Sequence, residues 1–348
     1  MQAYCRDRGR RLGARDALQA APSHFPDRPL ETGRTGRRCH NPDVKIVVSG
    51  ASGLIGSALV PSLEAAGHEV VRLVRRPAAR ARELEWDPAA GTLDASGLKG
   101  VDGAVHLSGA TIGRRWTKAR KAEIRESRVK STMLLAETLA SVEPRPSVLV
   151  CTGGVGIYGD RGDEILTEES ELGSGFLAEV GRAWESACEP ARAGGLRVVN
   201  LRGGIVLSRR GGALARLLTP FRLGLGGRVG SGRQWWSWIA IDDLVRAIRF
   251  LLEGTMAGPV NTVSPNPVTN AHFAKALGQA LARPTVFPFP AFAAKAVFGE
   301  MAEEALLTGQ RALPARLLDA GFAFDYPDVH PALERALAAR QDDTGRGQ

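Results

Sequence analysis

Residues 44–76 constrain the fold more than any other part of the chain. Val44-Lys45-Ile46-Val47-Val48-Ser49 is a β-branched run of strand length. It passes directly into Gly50-Ala51-Ser52-Gly53-Leu54-Ile55-Gly56, then a helical stretch to Gly67, then a second strand, Glu69-Val70-Val71-Arg72-Leu73-Val74. Closely spaced glycines between a strand and a helix let the backbone turn sharply and approach phosphate oxygens. The free N–H groups and the dipole of the helix N-terminus then favour the negative charge. The spacing is G-x-x-G-x-x-G rather than G-x-G-x-x-G. Glycine triplets alone say little. The strand before, the helix after and a second strand ending about twenty residues on are what a dinucleotide site requires.

The end of the second strand bears on which dinucleotide. An NAD site offers an acidic residue there to the ribose 2′-hydroxyl, whereas arginine suits a 2′-phosphate. Here Arg75 and Arg76 stand in that turn. A guanidinium can hold a phosphate through two parallel hydrogen bonds, so the expectation is NADP(H) over NAD(H). The alternative is a pair of solvated surface arginines.

Strand and helix patterns keep alternating beyond this unit. Glu83–Trp86 and Asp102–Leu107 read as strands, followed by a long basic helix from about Thr117 to Leu139. Ser147–Cys151 is a further strand, Ala178–Ala193 a helix, and Leu196–Leu201 a strand. Strands separated by helix-length segments indicate α/β architecture with a doubly wound parallel sheet of Rossmann type. Ligands in such sheets sit beyond the carboxyl ends of the strands. The candidate site residues are therefore Gly50–Gly56, Arg75, Leu107-Ser108-Gly109, Thr152–Tyr158 and Gly203–Ile205.

The net charge of +9 invites a nucleic-acid reading, but its source argues otherwise. Residues 1–43 hold nine arginines against five acids, are rich in Gly and Pro, and show no hydrophobic period. We read them as a disordered extension. An organelle-targeting peptide or an over-extended gene start are alternatives, the first opposed by Asp7, Asp16, Asp27 and Glu31. The remaining residues carry 37 basic and 32 acidic groups, so nucleic acid is not an expected partner; nor, from the lack of a span, is a membrane. No apolar run reaches the length of a span. Cys5, Cys39, Cys151 and Cys188 lack metal-ligand spacing and no secretory signal precedes them, so reduced thiols and a cytoplasmic location are expected. Domain limits follow: an extension over 1–43, a cofactor domain over 44–282, a small C-terminal domain over 283–338 and a disordered tail over 339–348.

From about residue 207 to 240 glycines alternate with Arg222, Arg228 and Arg233, and Trp235, Trp236 and Trp238 follow. A flexible basic and aromatic insertion beside a cofactor cleft could clamp an anionic or planar substrate. The alternative is a structural segment whose tryptophans pack. Asp242 and Asp243 open the next helix, Leu244–Leu252, either as caps suited to the helix dipole or as a catalytic pair.

Taken together, these motifs resemble the extended short-chain dehydrogenase/reductases. More closely, they resemble the atypical branch labelled "epimerase family", described as NADP-dependent oxidoreductases related to nucleotide-sugar epimerases. The marks are Gly50–Gly56, His106-Leu-Ser-Gly109, Arg115-Trp116, Ser127-Arg128-Val129, Tyr158-Gly159, Pro220–Gly227, Gly230–Gln234, Trp238-Ile239 with Asp242-Asp243, Val263-Ser-Pro265 and Gly309–Pro314 through Phe322. The last of these resembles the branch's small C-terminal domain, placed on the substrate side. The resemblance runs from Lys45 to about Leu337. It implies an NADP site that includes Arg75, Leu107, Ser108, Glu123, Arg128 and the neighbourhood of Ile205, besides the glycine turn.

The departures bear on chemistry. The superfamily's enzymes use a Tyr with a Lys four residues on, and a Ser that orients substrate. This chain has no Tyr-x-x-x-Lys; the corresponding helix reads Phe176–Glu185, with neither residue. Gly153 stands where the branch has serine, and Ala240 where it has histidine. Tyr158 and Thr152 are the remaining candidate proton donors, with Arg114, Arg115 or Arg128 as the cation that would tune Tyr158. Two functions stay open: a reductase or epimerase-like enzyme on a small carbonyl or sugar-like compound, and a non-catalytic NADP(H)-binding sensor or regulator.

Overall fold

A computed structural model describes residues 44–338; the expectations for residues 1–43 and 339–348 lie outside the described residues. Eight strands form the central sheet: β1 Lys45–Ser49, β2 Glu69–Val74, β3 Glu83–Asp87, β4 Thr92–Leu93, β5 Gly103–His106, β6 Val148–Gly154, β7 Arg197–Gly203 and β8 Gly258–Thr262. Their order is β8-β7-β6-β5-β1-β2-β3-β4. Every pairing is parallel except β3 with β4. The chain winds outward from β1 in one direction through β2 and β3, then restarts at β5 and winds the other way. The switch point falls between β1 and β5, where such sheets bind ligands.

The doubly wound expectation holds because the central strands are apolar on both faces. Val47, Val48, Ala104, Val105, Leu149 and Val150 are buried. Leu59 and Leu63 of α1 (Gly56–Ala65) share one core with Leu244, Ile248 and Leu251 of a later helix, Ile241–Glu253. On the other face, Leu135 and Leu139 of α2 (Lys118–Ser141) pack with Trp184 of α3 (Phe176–Ser186), Cys188, and Ala191 of α4 (Glu189–Ala193). The single helix expected over 178–193 is thus two. Pro190 in the first turn of α4 suits a helix start and cannot donate into a continuing ladder.

The 207–240 segment follows the structural alternative, and much of it is regular. Helix α5 (Gly212–Arg222) places Leu214, Leu218 and Phe221 on one face, buried with Trp236, Trp238 and Phe273. Trp238–Ala240 pairs in parallel with Ile205–Leu207, and Trp235–Trp236 pairs antiparallel with Val268–Thr269. Trp236 and Trp238 therefore pack rather than clamp a ligand.

The two aspartates at the start of helix Ile241–Glu253 join the C-terminal segment to the sheet. Asp243, fully buried, accepts from the backbone N–H groups of Asp325 at 2.8 Å and Tyr326 at 2.9 Å. Asp242 pairs with Arg335 at 2.9 Å. Neither side chain caps the helix, although both lie in its first turn, where the dipole favours them. Leu317 and Phe322 of the C-terminal segment enter the same core as Val260 and Ile248. Among the described residues, no helix is long and apolar enough to cross a membrane.

Candidate functional site

β1 and β5 run side by side with Ser49 opposite His106, so the turns that follow them leave the sheet together. Gly50 adopts φ +67, and a Cβ there would lie 2.9 Å from Leu107 C. Only glycine lets these two turns approach so closely. Gly56 has a different duty. An added Cβ would overlap Gly50 O and sit 2.6 Å from Ala51 Cα, so glycine here lets α1 fold back against the turn. Gly53 N donates to Gly50 O at 2.9 Å and closes the turn. Ala51, Ser52, Leu54 and Ile55 complete it. The amides of Leu54 and Ile55 find no acceptor among the described residues, which suits them to anion oxygens.

Arg75 and Arg76 part company. Arg76 donates to both carboxylate oxygens of Glu83, at 2.9 and 2.7 Å, and to Pro77 O. That hydrogen bond, with help from the Ala79 amide, holds the Glu83 carboxyl down at about 2. Arg76 thus braces the β2–β3 turn through Glu83. Arg75 is exposed and forms no ion pair among the described residues. It directly follows the last residue of β2.

Beneath the turns runs a buried hydrogen-bonded chain. Ser49 Oγ lies 2.7 Å from His106 Nδ1, His106 Nε2 lies 3.1 Å from Ser131 Oγ, and Ser131 Oγ donates to Ser127 O at 2.6 Å. Because the Ser131 hydroxyl is already a donor, Nε2–H donates to it and Nδ1 accepts from Ser49. Burial holds His106 neutral, with its pKa lowered to about 3. The chain fixes the ends of β1 and β5 to α2.

The loop that leaves β5 through Leu107, Ser108 and Gly109 is fastened from α2. Ser127 Oγ accepts from Ala110 N at 3.1 Å, and Arg128 donates to Ala110 O at 3.0 Å while stacking 4.8 Å from the Trp184 ring centroid. Burial, with the nearby Arg120 charge, lowers the Arg128 pKa to about 10. Glu123 pairs with Arg120, which donates to Thr111 O. Glu123 and Arg128 thus act on the loop bordering the cleft. Ile205 lies half-buried after β7, its N–H donating to Ser237 O at 2.8 Å.

Tyr158 does not reach the cleft as a free phenol. It is fully buried; its hydroxyl donates to Asn261 Oδ1 at 2.8 Å and accepts from Arg202 at 3.0 Å. Arg202 is itself clamped by both oxygens of Glu185, at 2.8 and 3.0 Å. Burial raises the phenol pKa further from neutrality, a trend the Arg202 contact only partly opposes. The assignment of Tyr158 as a proton donor is therefore corrected to a structural role, and its cation is Arg202 rather than Arg114, Arg115 or Arg128. Thr152 is half-buried at the end of β6, its hydroxyl donating to His106 O at 3.0 Å. Its oxygen keeps lone pairs for a ligand, but its proton is committed. A Cβ at Gly153 would sit 2.8 Å from Leu201 O, so the β6–β7 approach excludes a serine there.

Sequence reasoning missed the network around Tyr158. Asn261, Arg202 and Glu185 come from three separate elements, and no spacing links them. His106 and Ser131 were equally hidden, although a His closing an apolar strand was a usable sign of a buried polar bridge.

Residues 46–263 match the NAD dependent epimerase/dehydratase family, and residues 289–336 match a domain of unknown function, DUF1731. An epimerase family protein of Mycobacterium bovis is 45% identical over 290 residues, covering 83% of this chain and 96% of that protein. The crystal structure of human epimerase family protein SDR39U1 with NADPH superposes with a TM-score of 0.77 at 35% identity, covering 85% of this chain and 99% of the human one. UDP-N-acetylglucosamine 4-epimerase from Bacillus cereus gives a TM-score of 0.68 at 18% identity, covering 85% and 99%, a likeness of fold alone.

Proposed function

The chain belongs to the NAD dependent epimerase/dehydratase family, and from that premise we propose that it binds NADP(H) and acts as an oxidoreductase or epimerase-like enzyme on a small carbonyl or sugar-like substrate. The observation that carries the cofactor reading is the exposed Arg75 beyond β2, beside a glycine turn shaped for a pyrophosphate. The human relative crystallised with NADPH supports the same choice. A bound nicotinamide would supply hydride chemistry. The chain's own contribution is a rigid cradle: Gly50 and Gly56 admit the backbone approach, His106 and Arg128 hold the neighbouring loop, and Thr152 offers an acceptor oxygen at the end of β6.

A second reading, a non-catalytic NADP(H)-binding sensor or regulator, draws support from the commitment of Tyr158 to Asn261 and Arg202. One experiment separates them. The purified chain is titrated with NADPH and NADH, then offered a panel of aldehydes, ketones and nucleotide sugars while NADPH absorbance is followed. Tight, NADPH-selective binding with turnover supports the enzyme. The same binding with no turnover across the panel supports the sensor, and absence of NADPH binding defeats both.

A further inference from the structure

The side of the molecule built from residues 223–229 and 283–297 carries an apolar surface that the cofactor site does not use. Leu223, Leu225, Val286, Phe287, Phe292 and Val297 are 54–76% exposed. The two stretches are joined: Phe289 N donates to Arg228 O at 2.8 Å and Gly230 N to Phe289 O at 2.9 Å. Helix Ala291–Phe298 is apolar almost all round, yet only Ala294 in it is fully buried. An apolar helix left so open signals an interaction surface.

Charge indicates what would cover it. No Asp or Glu occurs between Glu189 and Asp242, or between Glu253 and Glu300, so neither stretch contributes an acid. Arg222, Arg228 and Arg283, at or beside this face, are exposed and form no ion pair among the described residues, whereas Lys295 is neutralised by Glu303 at 2.8 Å. A second copy of the same face would bring these arginines together, which disfavours self-association. Unpaired arginines beside exposed aromatic and aliphatic side chains suit an anionic lipid surface, where apolar groups enter the headgroup boundary and cations meet phosphates.

We infer that residues 223–229 and 283–297 form a peripheral docking face for an anionic lipid bilayer. Phe287 and Phe292 enter the headgroup boundary while Arg222, Arg228 and Arg283 meet lipid phosphates. Peripheral docking needs no spanning helix; it departs from the expectation that no membrane takes part, which rested on the lack of a span.

Flotation of the full chain with vesicles tests this. The chain should float with vesicles of equal parts phosphatidylcholine and phosphatidylglycerol, and much less with phosphatidylcholine alone. Binding should weaken at about 0.5 M salt, where screening is nearly complete. F287S/F292S should lower partitioning at least about tenfold, while R222E/R283E should abolish the preference for anionic vesicles. Unchanged NADPH affinity and thermal midpoint in both variants show that they fold. No flotation with anionic vesicles, equal flotation of the variants, or a dimer of the parent chain that F287S/F292S dissolves would each overturn the proposal.

Discussion

The hydroxyl of Tyr158 donates to Asn261 Oδ1 at 2.8 Å, joining the end of β6 to β8 across the intervening β7. Arg202, from β7 itself, donates to the same oxygen. Asn261 carries the connection onward, its Nδ2 donating to Leu313 O and its N–H to Glu168 Oε1, both at 2.9 Å. One phenol thus fastens three adjacent strands and the C-terminal segment.

Tyr158→Phe should therefore act on stability. It removes one buried donor and one acceptor, leaving Asn261 Oδ1 and an Arg202 N–H short of partners, at a cost of about 1–3 kcal/mol. A thermal midpoint lower by several degrees is expected, with NADPH affinity unchanged. An unaltered midpoint together with turnover slowed more than about a hundredfold would restore Tyr158 as a proton donor.

Arg75 and Arg76 should separate in a titration. Arg75→Ala loses a charge-assisted contact to a 2′-phosphate, worth roughly 1.5–3 kcal/mol, and should erase most of the preference for NADPH over NADH. Arg76→Ala frees Glu83 and loosens the turn, so it should weaken both cofactors alike. Calorimetry decides between them. Equal affinity of the unaltered chain for both cofactors would remove the premise.

The parts legible in the sequence were those governed by local pattern. The β-branched run before Gly50 and the strand Glu69–Val74 lie where alternation and glycine punctuation placed them. Arg75 and Arg76 are indistinguishable as letters. Which one is free depends on Glu83, brought alongside by β2–β3 pairing. Helix α5 was hidden because Gly211, Gly212 and Pro220 punctuate it like a loop, while its three buried apolar residues are recognisable only once Trp236 and Phe273 form their partner surface. Asp242 and Asp243 looked like caps because helix starts favour acids, but besides Arg246 three residues after Asp243, their partners lie about eighty to ninety residues further on.

His106 should give the fold an acid-sensitive component. Its folded pKa, about 3, lies below the ordinary value of 6.5, so the unfolded chain binds the extra proton. Its contribution is complete above about pH 6.5 and is lost progressively as pH falls toward 3, with a slope of up to about 1.4 kcal/mol per pH unit. Urea unfolding across that window should show a shallower loss for His106→Gln than for the parent chain. Parallel curves would mean that the imidazole titrates normally in the folded state.

The glycines of the turn should not be equivalent, and substituting each by alanine ranks them. At Gly53 the added Cβ would stand 3.2 Å from Gly50 O, a crowding that a shift of a few tenths of an ångström relieves. At Gly56 the obstacle is the backbone of Gly50 and Ala51 itself, which cannot move without reopening the turn that Gly53 N closes on Gly50 O. Gly56→Ala must push α1 away from β1 and draw the amides of Leu54 and Ile55 off any phosphate they hold. It should cost about 1–3 kcal/mol of stability as overpacking and at least about tenfold in NADPH affinity, from the loss of one charge-assisted contact. Gly53→Ala should keep most of both. Thermal melts and fluorescence titration of the two variants side by side measure the ranking, and a Gly56→Ala chain that binds NADPH as tightly as Gly53→Ala would show that the close approach of α1 to the turn has no part in holding the cofactor.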